Sequence, residues 1–257
     1  MTNKYRRARK KRKKWWPYLL CFFLLVVLGS GIGAYLAKPS LFSGLQFWKA
    51  KKTAVMTPSS SKKKEEKSDL PAVSTKDWQL ILVNRDNVKP ELNPQLTDVD
   101  AIKVDSRIVE PTRQFLEAAR KIAPEETLIS GYRSVAEQTE LYNERVAQLE
   151  ASGLSHEEAE KQVQTQVQVP GASEHQTGLA IDMSVEAGQS DELGMQLAAI
   201  APQYGFVLRY PDGKSNITGV NFENWHFRYV GVENAQYMAK HQLVLEEYIQ
   251  LLKKAGK

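Results

Sequence analysis

A run of 23 residues without a charged side chain, residues 15–37, constrains the fold of this chain more than any other feature. Its central part, residues 19–36, is almost entirely apolar. A helix that crosses the hydrocarbon core of a membrane needs about 20 such residues. We therefore expect residues 15–37 to form one transmembrane helix between a short N-terminal part and a long C-terminal part.

The residues before this run are strongly basic and predict its orientation. Nine Lys and Arg residues lie within residues 4–14, without one acidic residue. Because basic residues beside a membrane span are retained in the cytoplasm, residues 1–14 are predicted to be a cytoplasmic tail. Nucleic-acid binding by this block is the alternative, but its position directly before the apolar run favours the topological interpretation. A cleaved signal peptide is also an alternative, but the length of the run favours an uncleaved anchor.

The chain after the apolar run has two parts of different composition. Residues 50–76 are rich in Lys, Ser and Glu with almost nothing apolar, which is typical of a solvated tether; we assign residues 38–76 as an extracellular stalk. Residues 77–257 contain 17 basic and 27 acidic side chains, a net charge of −10. This part lacks the basic face that binds nucleic acid. The single cysteine, Cys21, excludes an intramolecular disulfide and a zinc site made of several cysteines.

Residues 77–257 alternate between helical and strand patterns without a regular βαβ repeat. Strands are predicted at residues 78–83, 128–129, 179–183, 205–210 and 227–230. Helices are predicted from a cap at Asp105 or Ser106 to before Pro124, at residues 135–150, from Ser155 to about Gln166, and at residues 193–200 and 232–252. This order of elements favours an α+β fold.

Two of the four histidines are candidate metal ligands because of the segments in which they lie. His175 precedes Asp182, which ends an apolar strand, and Glu223 precedes His226. Imidazole nitrogen and carboxylate oxygen are good zinc ligands, and three protein ligands with one open position are typical of a catalytic site. His175, Asp182 and His226 would make such a set. A cation would also remove the cost, several kcal/mol, of an unpaired inward-facing carboxylate at Asp182.

The alternative is that these histidines are ordinary hydrogen-bonded or surface residues, and their spacing alone does not decide between the two. For His156 and His241 we adopt this alternative. The first lies in a helix-capping turn beside two glutamates, and the second lies on a helix beside Lys240.

Four segments resemble one known family. They are Ser-Gly-Tyr-Arg-Ser at residues 130–134, Pro-Gly-Ala-Ser-Glu-His-Gln-Thr-Gly-Leu-Ala-Ile-Asp at 170–182, Tyr-Gly-Phe-Val-Leu-Arg-Tyr-Pro at 204–211 and Glu-Asn-Trp-His-Phe-Arg-Tyr-Val-Gly at 223–231. In this order they are similar to VanY-type D-alanyl-D-alanine carboxypeptidases and their LdcB-like L,D-carboxypeptidase relatives. The resemblance extends over residues 77–248.

The resemblance implies a fold, a metal and a catalytic base. The fold is that of hedgehog domains and D-Ala-D-Ala peptidases, a small antiparallel sheet with flanking helices and zinc in a cleft. His175, Asp182 and His226 are implied to bind Zn²⁺, and Glu223 is implied to be the base. One residue departs from the family pattern, since Asn224 stands where similar enzymes usually have proline. Because strand positions three apart face opposite ways, a turn or bulge must separate Glu223 from His226.

The motif at residues 130–134 implies substrate contacts. Arg133 is predicted to hold an anionic group, either the terminal carboxylate of a peptide or the developing oxyanion. Neutral hydrogen bonds to the peptide are predicted from Tyr132, Ser134, Gln138 and Ser173. Arg209 and Arg228 are left as either structural residues or residues of the cleft.

Together these implications predict a membrane-anchored, outward-facing, monomeric enzyme, as in Gram-positive bacteria. It would remove the C-terminal D-alanine from peptidoglycan stem peptides, either a pentapeptide ending D-Ala-D-Ala or a tetrapeptide ending L-Lys-D-Ala. An endopeptidase that cuts within stem peptides is one alternative. A catalytically inactive, metal-stabilised module that binds wall peptides is another.

Overall fold

The computed structural model describes residues 69–257, which form an α+β domain as predicted. The predicted cytoplasmic tail, the transmembrane helix and the stalk up to residue 68 lie outside the described residues. The strands are β1 Leu96–Val99, β2 Ile102–Asp105, β3 Thr127–Ser130, β4 Ala180–Ser184, β5 Phe206–Tyr210 and β6 Glu223–Tyr229. The α-helices are α1 Val109–Ile122, α2 Val135–Ala151, α3 His156–Val163, α4 Asp191–Ile200, α5 Ser215–Thr218, α6 Val232–His241 and α7 Leu245–Lys254. Short 3₁₀ turns occur at Trp78–Leu80, Ser106–Ile108, Glu174–Thr177 and Ala201–Tyr204.

Four strands form the sheet that positions the candidate site. Their order is β3-β4-β6-β5, and each neighbouring pair is antiparallel. Strand β4 lies inside the sheet, and all five of its residues are buried. Strands β1 and β2 form a separate antiparallel pair.

The two faces of the four-stranded sheet differ in chemistry because side chains alternate along each strand. One face carries apolar side chains such as Ile181 and Phe227, which belong to the main core together with Phe115 of α1. The Phe115 ring stacks on Phe206 at 5.3 Å and meets Phe227 edge-on at 5.1 Å. The opposite face is buried but largely polar. It carries Asp182, His226, Arg209 and Arg228.

Two smaller apolar clusters support this polar face from the sides. One joins α6 and α7 to Leu80, Val207 and Val230. The other holds α2 against α3 through Tyr142 and Val163, among others. Residues 69–76 contact the C-terminal end, where Lys257 Nζ donates to the Pro71 carbonyl and Thr75 Oγ1 donates to the Lys257 carbonyl.

Most of the predicted elements are present, with helix starts close to the expected capping residues. Asp105 accepts a hydrogen bond from the Arg107 amide at the 3₁₀ turn before α1. Ser155 and Glu158 form the predicted capping box of α3, which ends at Val163 rather than near Gln166.

Three predictions about secondary structure are wrong or incomplete. Residues 78–83 are not a strand, since their carbonyls at Gln79 and Ile81 accept from Arg228 instead of a neighbouring strand. The closing helix is two helices, because Gln242 adopts a left-handed conformation with φ of 53°. The β1–β2 hairpin and the short helix α5 were also not predicted. Among residues 69–257, no helix has the length and apolar character needed to cross a membrane.

Candidate metal centre and active site

Pairing of two central strands places a carboxylate opposite an imidazole. Asp182 in β4 is the register partner of His226 in β6, and His175 lies in the 3₁₀ turn just before β4. Asp182 Oδ2 is 3.3 Å from His175 Nε2, and Asp182 Oδ1 is 3.1 Å from His226 Nδ1. One ligand atom from each residue lies within 4.8 Å of the others. The structure therefore brings the three predicted ligands together.

The turn that carries His175 is held by local hydrogen bonds. Ser173 Oγ caps it by accepting from the His175 amide. Gly178 ends it in a left-handed conformation with φ of 68°. A Cβ atom at Gly178 would lie 2.8 Å from the Asp105 backbone nitrogen. Glycine at this position thus allows both the turn and the close approach to β2.

The two imidazoles present different nitrogens to the site. His175 Nδ1 lies 2.7 Å from the Gly131 carbonyl, to which it donates, and this leaves Nε2 with a free lone pair. His226 presents Nδ1 to Asp182, while its Nε2 lies 3.7 Å from Glu174 Oε2. A carbonyl or carboxylate behind the outer ring nitrogen is the usual support of a histidine that binds a metal.

This donor set fits a divalent cation such as zinc. Metal binding requires both imidazoles to be neutral, and in that state their inward lone pairs would point at carboxylate oxygens 3.1 and 3.3 Å away. Asp182 Oδ1 is buried and has no hydrogen-bond partner among the described residues. The three residues are at most 9% exposed. A cation between these atoms would replace repulsion between lone pairs with coordination bonds.

The charges of the site also shift its pKa values. Burial opposes ionisation of Asp182, but the imidazoles of His175 and His226 lower the pKa of this carboxyl below its usual value. Burial works against a proton on His226, but Asp182 and Glu174 raise the pKa of this imidazole to about 9. Because a metal ligand must be a neutral imidazole, metal uptake at this site would release a proton.

Glu223 lies beside the predicted metal ligands because β6 has a bulge. Register partners change from Leu208 with Phe227 to Tyr210 with Glu223, so β6 contains two more residues than β5 here. Glu223 Oε2 consequently lies 3.7 Å from His226 Nδ1. Burial raises the pKa of Glu223 to about 8, although His226 acts in the opposite direction.

Asn224 holds the bulge with its side chain. Its Nδ2 donates to the Gln189 carbonyl at 3.2 Å and to Asp191 Oδ1 at 2.7 Å. Asn224 thus connects β6 to the start of α4. The turn or bulge expected from the sequence is present despite the departure from proline.

Arg133 lies at the edge of the site with neutral partners only. Its backbone nitrogen donates to the His175 carbonyl, and its guanidinium donates to Gln138 Oε1 at 2.9 Å and Ser130 Oγ at 3.0 Å. Within residues 69–257, Arg133 forms no ion pair at 4 Å or less. Burial lowers the pKa of Arg133, while Asp182 and Glu223 are among the charges that counteract this effect. The guanidinium can therefore accept an additional anionic partner.

The other predicted substrate residues make contacts within the protein. Tyr132 donates to Glu91 Oε1, and Gln138 Nε2 donates to the Gln168 carbonyl. Ser134 is the N-cap of α2, and Ser173 caps the turn of His175. Ser134 and Ser173 thus shape the backbone around the site.

Sequence reasoning assigned no role to Glu174, although it stands next to His175. Glu174 Oε1 accepts from Arg209 Nε at 2.8 Å and Arg228 Nη1 at 2.7 Å. Both arginines are at most 1% exposed. Of the two alternatives left by the sequence, a structural role or a place in the cleft, this burial favours the structural role. The sequence does contain a signal for a partner such as Glu174. Arg209 and Arg228 each lie in a predicted strand that is otherwise apolar, and a buried charge requires a partner of opposite charge. His156 and His241 lie away from this centre and pair with surface carboxylates.

Comparisons with known proteins identify the family of this chain. A family model described as VanY, D-alanyl-D-alanine carboxypeptidase, matches residues 101–232. A D-alanyl-D-alanine carboxypeptidase of Enterococcus faecalis (strain ATCC 700802 / V583) is 38% identical over 177 residues, covering 67% of this chain and 66% of that protein. The chain therefore spans slightly less than two thirds of this curated relative.

Solved structures match the same region. The vancomycin resistance D,D-pentapeptidase VanY, a mutant from the VanB-type cassette in complex with Zn(II), is 38% identical with a TM-score of 0.63, covering 67% of this chain and 99% of that chain. The LdcB LD-carboxypeptidase is 30% identical with a TM-score of 0.57, covering 67% and 86%. With a family model that covers half of its length, this chain belongs to the VanY family of D-alanyl-D-alanine carboxypeptidases.

Proposed function

We propose that this chain is a zinc-dependent carboxypeptidase that removes the C-terminal D-alanine from peptidoglycan stem peptides. The observation that carries the proposal is the convergence of His175, Asp182 and His226 with Glu223 3.7 Å from one of these ligands. The VanY structure in complex with Zn(II) supports the choice of metal. When bound, zinc supplies Lewis acidity, which polarises a carbonyl and makes water a nucleophile near neutral pH.

Glu223 has the position and environment of the general base. Its carboxylate accepts a proton from the attacking water and then delivers that proton to the amine of the departing D-alanine. The water oxygen bonds to the scissile carbonyl carbon, and the peptide C–N bond breaks. Burial raises the pKa of Glu223 above the usual value of a glutamate, and a cation held by the neighbouring ligands would lower it again, so that the group can accept and return a proton near neutral pH.

Arg133 binds the terminal carboxylate of the peptide in this proposal. Its guanidinium has two neutral partners, Gln138 and Ser130, which orient the group without neutralising it. A free carboxylate would make the charge-assisted contact that the described residues do not provide. This contact would distinguish a carboxypeptidase from an endopeptidase.

The first substrate to test is a pentapeptide ending in D-Ala-D-Ala. Identity to the VanY D,D-pentapeptidase is 38%, against 30% for the LdcB LD-carboxypeptidase. A tetrapeptide ending in L-Lys-D-Ala is the second substrate class. Both reactions would use the same metal, base and carboxylate clamp.

The test is digestion of defined peptides by the purified full chain, with products identified by mass. We expect release of one D-alanine from the pentapeptide, loss of activity with a chelator, and recovery with zinc. A C-terminally amidated pentapeptide should remain intact. Cleavage of the amidated peptide would indicate an endopeptidase, and binding without any cleavage would indicate the inactive wall-peptide module.

The Glu223→Gln variant tests the assigned base. Loss of general-base catalysis should lower kcat by about 10²- to 10⁴-fold, while zinc remains bound. Glu186→Gln, a change at an exposed glutamate, is the matched control and should leave kcat unaltered. Intact turnover in Glu223→Gln would remove Glu223 from the mechanism.

We also propose that residues 15–37 anchor a monomeric enzyme to the outside of the cell membrane. The uncharged run and the basic block before it support this topology. Extraction of membranes at alkaline pH should leave the chain in the pellet, and external protease should reach residues 69–257 in intact cells. Release of a shortened chain would indicate a cleaved signal peptide instead.

A further inference from the structure

A network of four buried charges lies directly behind the metal ligands. Glu174 accepts from Arg209 and Arg228, and Arg209 donates a bidentate pair to Glu246 of α7 at 2.6 and 3.0 Å. Asn84 Nδ2 also donates to Glu246 at 2.9 Å. Each of the four charged residues is at most 8% exposed. The two positive and two negative charges balance, as burial of ions requires.

One carboxylate oxygen of this network is not used by the arginines. Both arginines donate to Glu174 Oε1 and leave Oε2 without a hydrogen-bond partner. His226 Nε2 is also buried and without a partner, and these two atoms lie 3.7 Å apart. An unsatisfied buried polar atom costs about 1–3 kcal/mol. A shift of less than 1 Å would let the His226 Nε2 proton satisfy both atoms.

We propose that Glu174 is a positioning residue that fixes the orientation of the His226 ring and the nitrogen that carries its proton in the neutral form. By accepting a hydrogen bond from Nε2, Glu174 keeps the proton on that nitrogen and leaves the Nδ1 lone pair directed at the metal site. Arg209 and Arg228 hold Glu174 in place, and Arg209 is itself bound to Glu246 of α7. The position of the His226 ring therefore depends on the sheet and on α7. This inference rests on the proposed metal site. It adds a role for Glu174, which takes no part in the proposed steps of hydrolysis.

The variant Glu174→Gln should disturb the ring in a defined way. The arginine donors require an acceptor at the position of Oε1, so the amide oxygen should face them. The amide NH₂ group would then face His226 Nε2. Two donors cannot form a hydrogen bond, and this arrangement favours the ring form that carries its proton on Nδ1, where the metal should bind.

Glu246→Gln is the matched control. It also removes one buried carboxylate that pairs with Arg209, so it should reduce the stability of the fold in a similar way. Glu246, however, forms no hydrogen bond or ion pair with His175 or His226. A merely structural role of the network predicts equal effects from the two variants, whereas a positioning role predicts unequal effects.

The first measurement is zinc affinity of the full chain by competition with a chelator of known affinity. Glu174→Gln should bind zinc about 10- to 100-fold more weakly than the wild type, the range for loss of a residue that supports a ligand. Glu246→Gln should retain the wild-type affinity. Equal affinities in wild type and Glu174→Gln would overturn the inference, as would equal losses in both variants.

The second measurement does not depend on metal. Because the chain has four histidines, labelling them with ¹⁵N gives few ring signals. The His226 Nε2 proton should be shifted downfield and exchange slowly in the wild type, with or without zinc, and should lose both properties in Glu174→Gln. Its persistence in that variant would contradict the inference. If the wild type binds no zinc, the proposed function is wrong. The signal of the His226 Nε2 proton in the wild type and in Glu174→Gln would still test the role of Glu174.

If Glu174→Gln does not fold, the double variant Glu174→Gln with Arg228→Gln restores the charge balance of the network. The pair Arg209 and Glu246 then remains neutral. We expect the same 10- to 100-fold loss of zinc affinity, on the order of the single-variant effect. Wild-type affinity in the double variant would contradict a positioning role.

Discussion

Three buried glutamates ionise differently because their neighbours differ. Arg209 and Arg228 keep the pKa of Glu174 well below its usual value, although burial opposes this. Burial dominates at Glu223 and raises its pKa to about 8. Burial also raises the pKa of Glu126 to about 7, with Arg120 acting in the opposite direction. Burial alone therefore raises the pKa of a glutamate, and two arginine partners reverse that effect.

Arg133→Met should weaken recognition of the substrate carboxylate. Loss of a charge-assisted hydrogen bond, about 1.5–3 kcal/mol, predicts a fall of about 10- to 100-fold in kcat/KM for the free pentapeptide. The measurement compares kcat/KM for the free peptide with kcat/KM for the amidated peptide. The ratio of the two values should be smaller in Arg133→Met than in the wild type. Arg113→Met, at an exposed position, should behave as the wild type. If Arg133→Met prefers the free peptide as strongly as the wild type does, a residue other than Arg133 binds the substrate carboxylate.

Glu126 should make stability depend on pH. Both of its carboxylate oxygens are buried without a hydrogen-bond partner, and its pKa changes from 4.5 to about 7 on folding. The folded state thus binds the proton more strongly, and stability falls as pH rises from about 4.5 to about 7. In Glu126→Gln this loss should disappear, which makes the variant more stable than the wild type at pH 8 by about 1–3 kcal/mol.

Urea unfolding at pH 5 and pH 8 tests this expectation. The advantage of Glu126→Gln should be larger at pH 8 than at pH 5. Glu125→Gln, next to it but exposed, should show the same pH dependence as the wild type. A constant difference between Glu126→Gln and the wild type across this range would contradict the raised pKa.

At the scale of elements, the contact between α4 and β6 shapes the active site. A Cβ atom at Gly194 of α4 would lie 2.5 Å from the Asn224 Cβ and 2.5 Å from its carbonyl oxygen. Glycine therefore allows the helix to approach the bulge that places Glu223 beside His226. The position is ordinary helix in conformation, so the requirement is for space rather than for a positive φ.

Gly194→Ala should reduce both stability and activity. Helix propensity favours alanine by about 1 kcal/mol, but overpacking costs about 1–3 kcal/mol, and the two contact distances indicate that overpacking dominates. Displacement of the bulge by about 1 Å should lower kcat by up to about 10²-fold. Thermal unfolding and peptide hydrolysis measure the two effects.

Met195→Ala is the control for this prediction, because Met195 lies on the same helix and is 55% exposed. It should change neither kcat nor stability noticeably. A Gly194→Ala variant that is more stable and fully active would show that helix propensity dominates.

At the scale of the whole molecule, the fold separates an apolar core from a buried polar face. The main core fills one side of the four-stranded sheet, while the candidate metal ligands and the charge network lie on the other. Arg228 also donates to the carbonyls of Gln79 and Ile81 in the N-terminal segment, and Arg209 pairs with Glu246 in α7. Segments far apart in sequence thus meet behind the site.

Metal removal should lower the thermal stability of the whole domain. A ligand at about 100 times its Kd stabilises the folded state by about 2.7 kcal/mol, which corresponds to roughly 5–10 °C for a domain of this size. Calorimetry of the full chain with zinc and with chelator measures the difference. The melting temperature of Asp182→Asn should be the same with zinc and with chelator. An equal zinc-dependent shift in this variant would place the stabilising metal elsewhere.

Much of the local structure could be predicted because its signals are short-range. Ser155 with Glu158 indicated a helix start, and the strand predicted at residues 205–210 became β5 at Phe206–Tyr210. The 78–83 segment misled prediction, because its β-forming residues instead provide carbonyls to Arg228. Glu246 could not have been assigned from its surroundings in sequence, since its partner Arg209 is 37 residues away.

By itself, the sequence determined the candidate ligands, the candidate base and the order of most elements. These depend on residue types, on motifs and on periodicities within a few turns of the chain. Only the tertiary structure decided which side chains meet. Strand pairing set Asp182 against His226, the bulge turned Glu223 toward them, and burial placed Arg209 and Arg228 behind Glu174. Register and burial arise from contacts between distant segments, and no local pattern encodes the distances between their atoms.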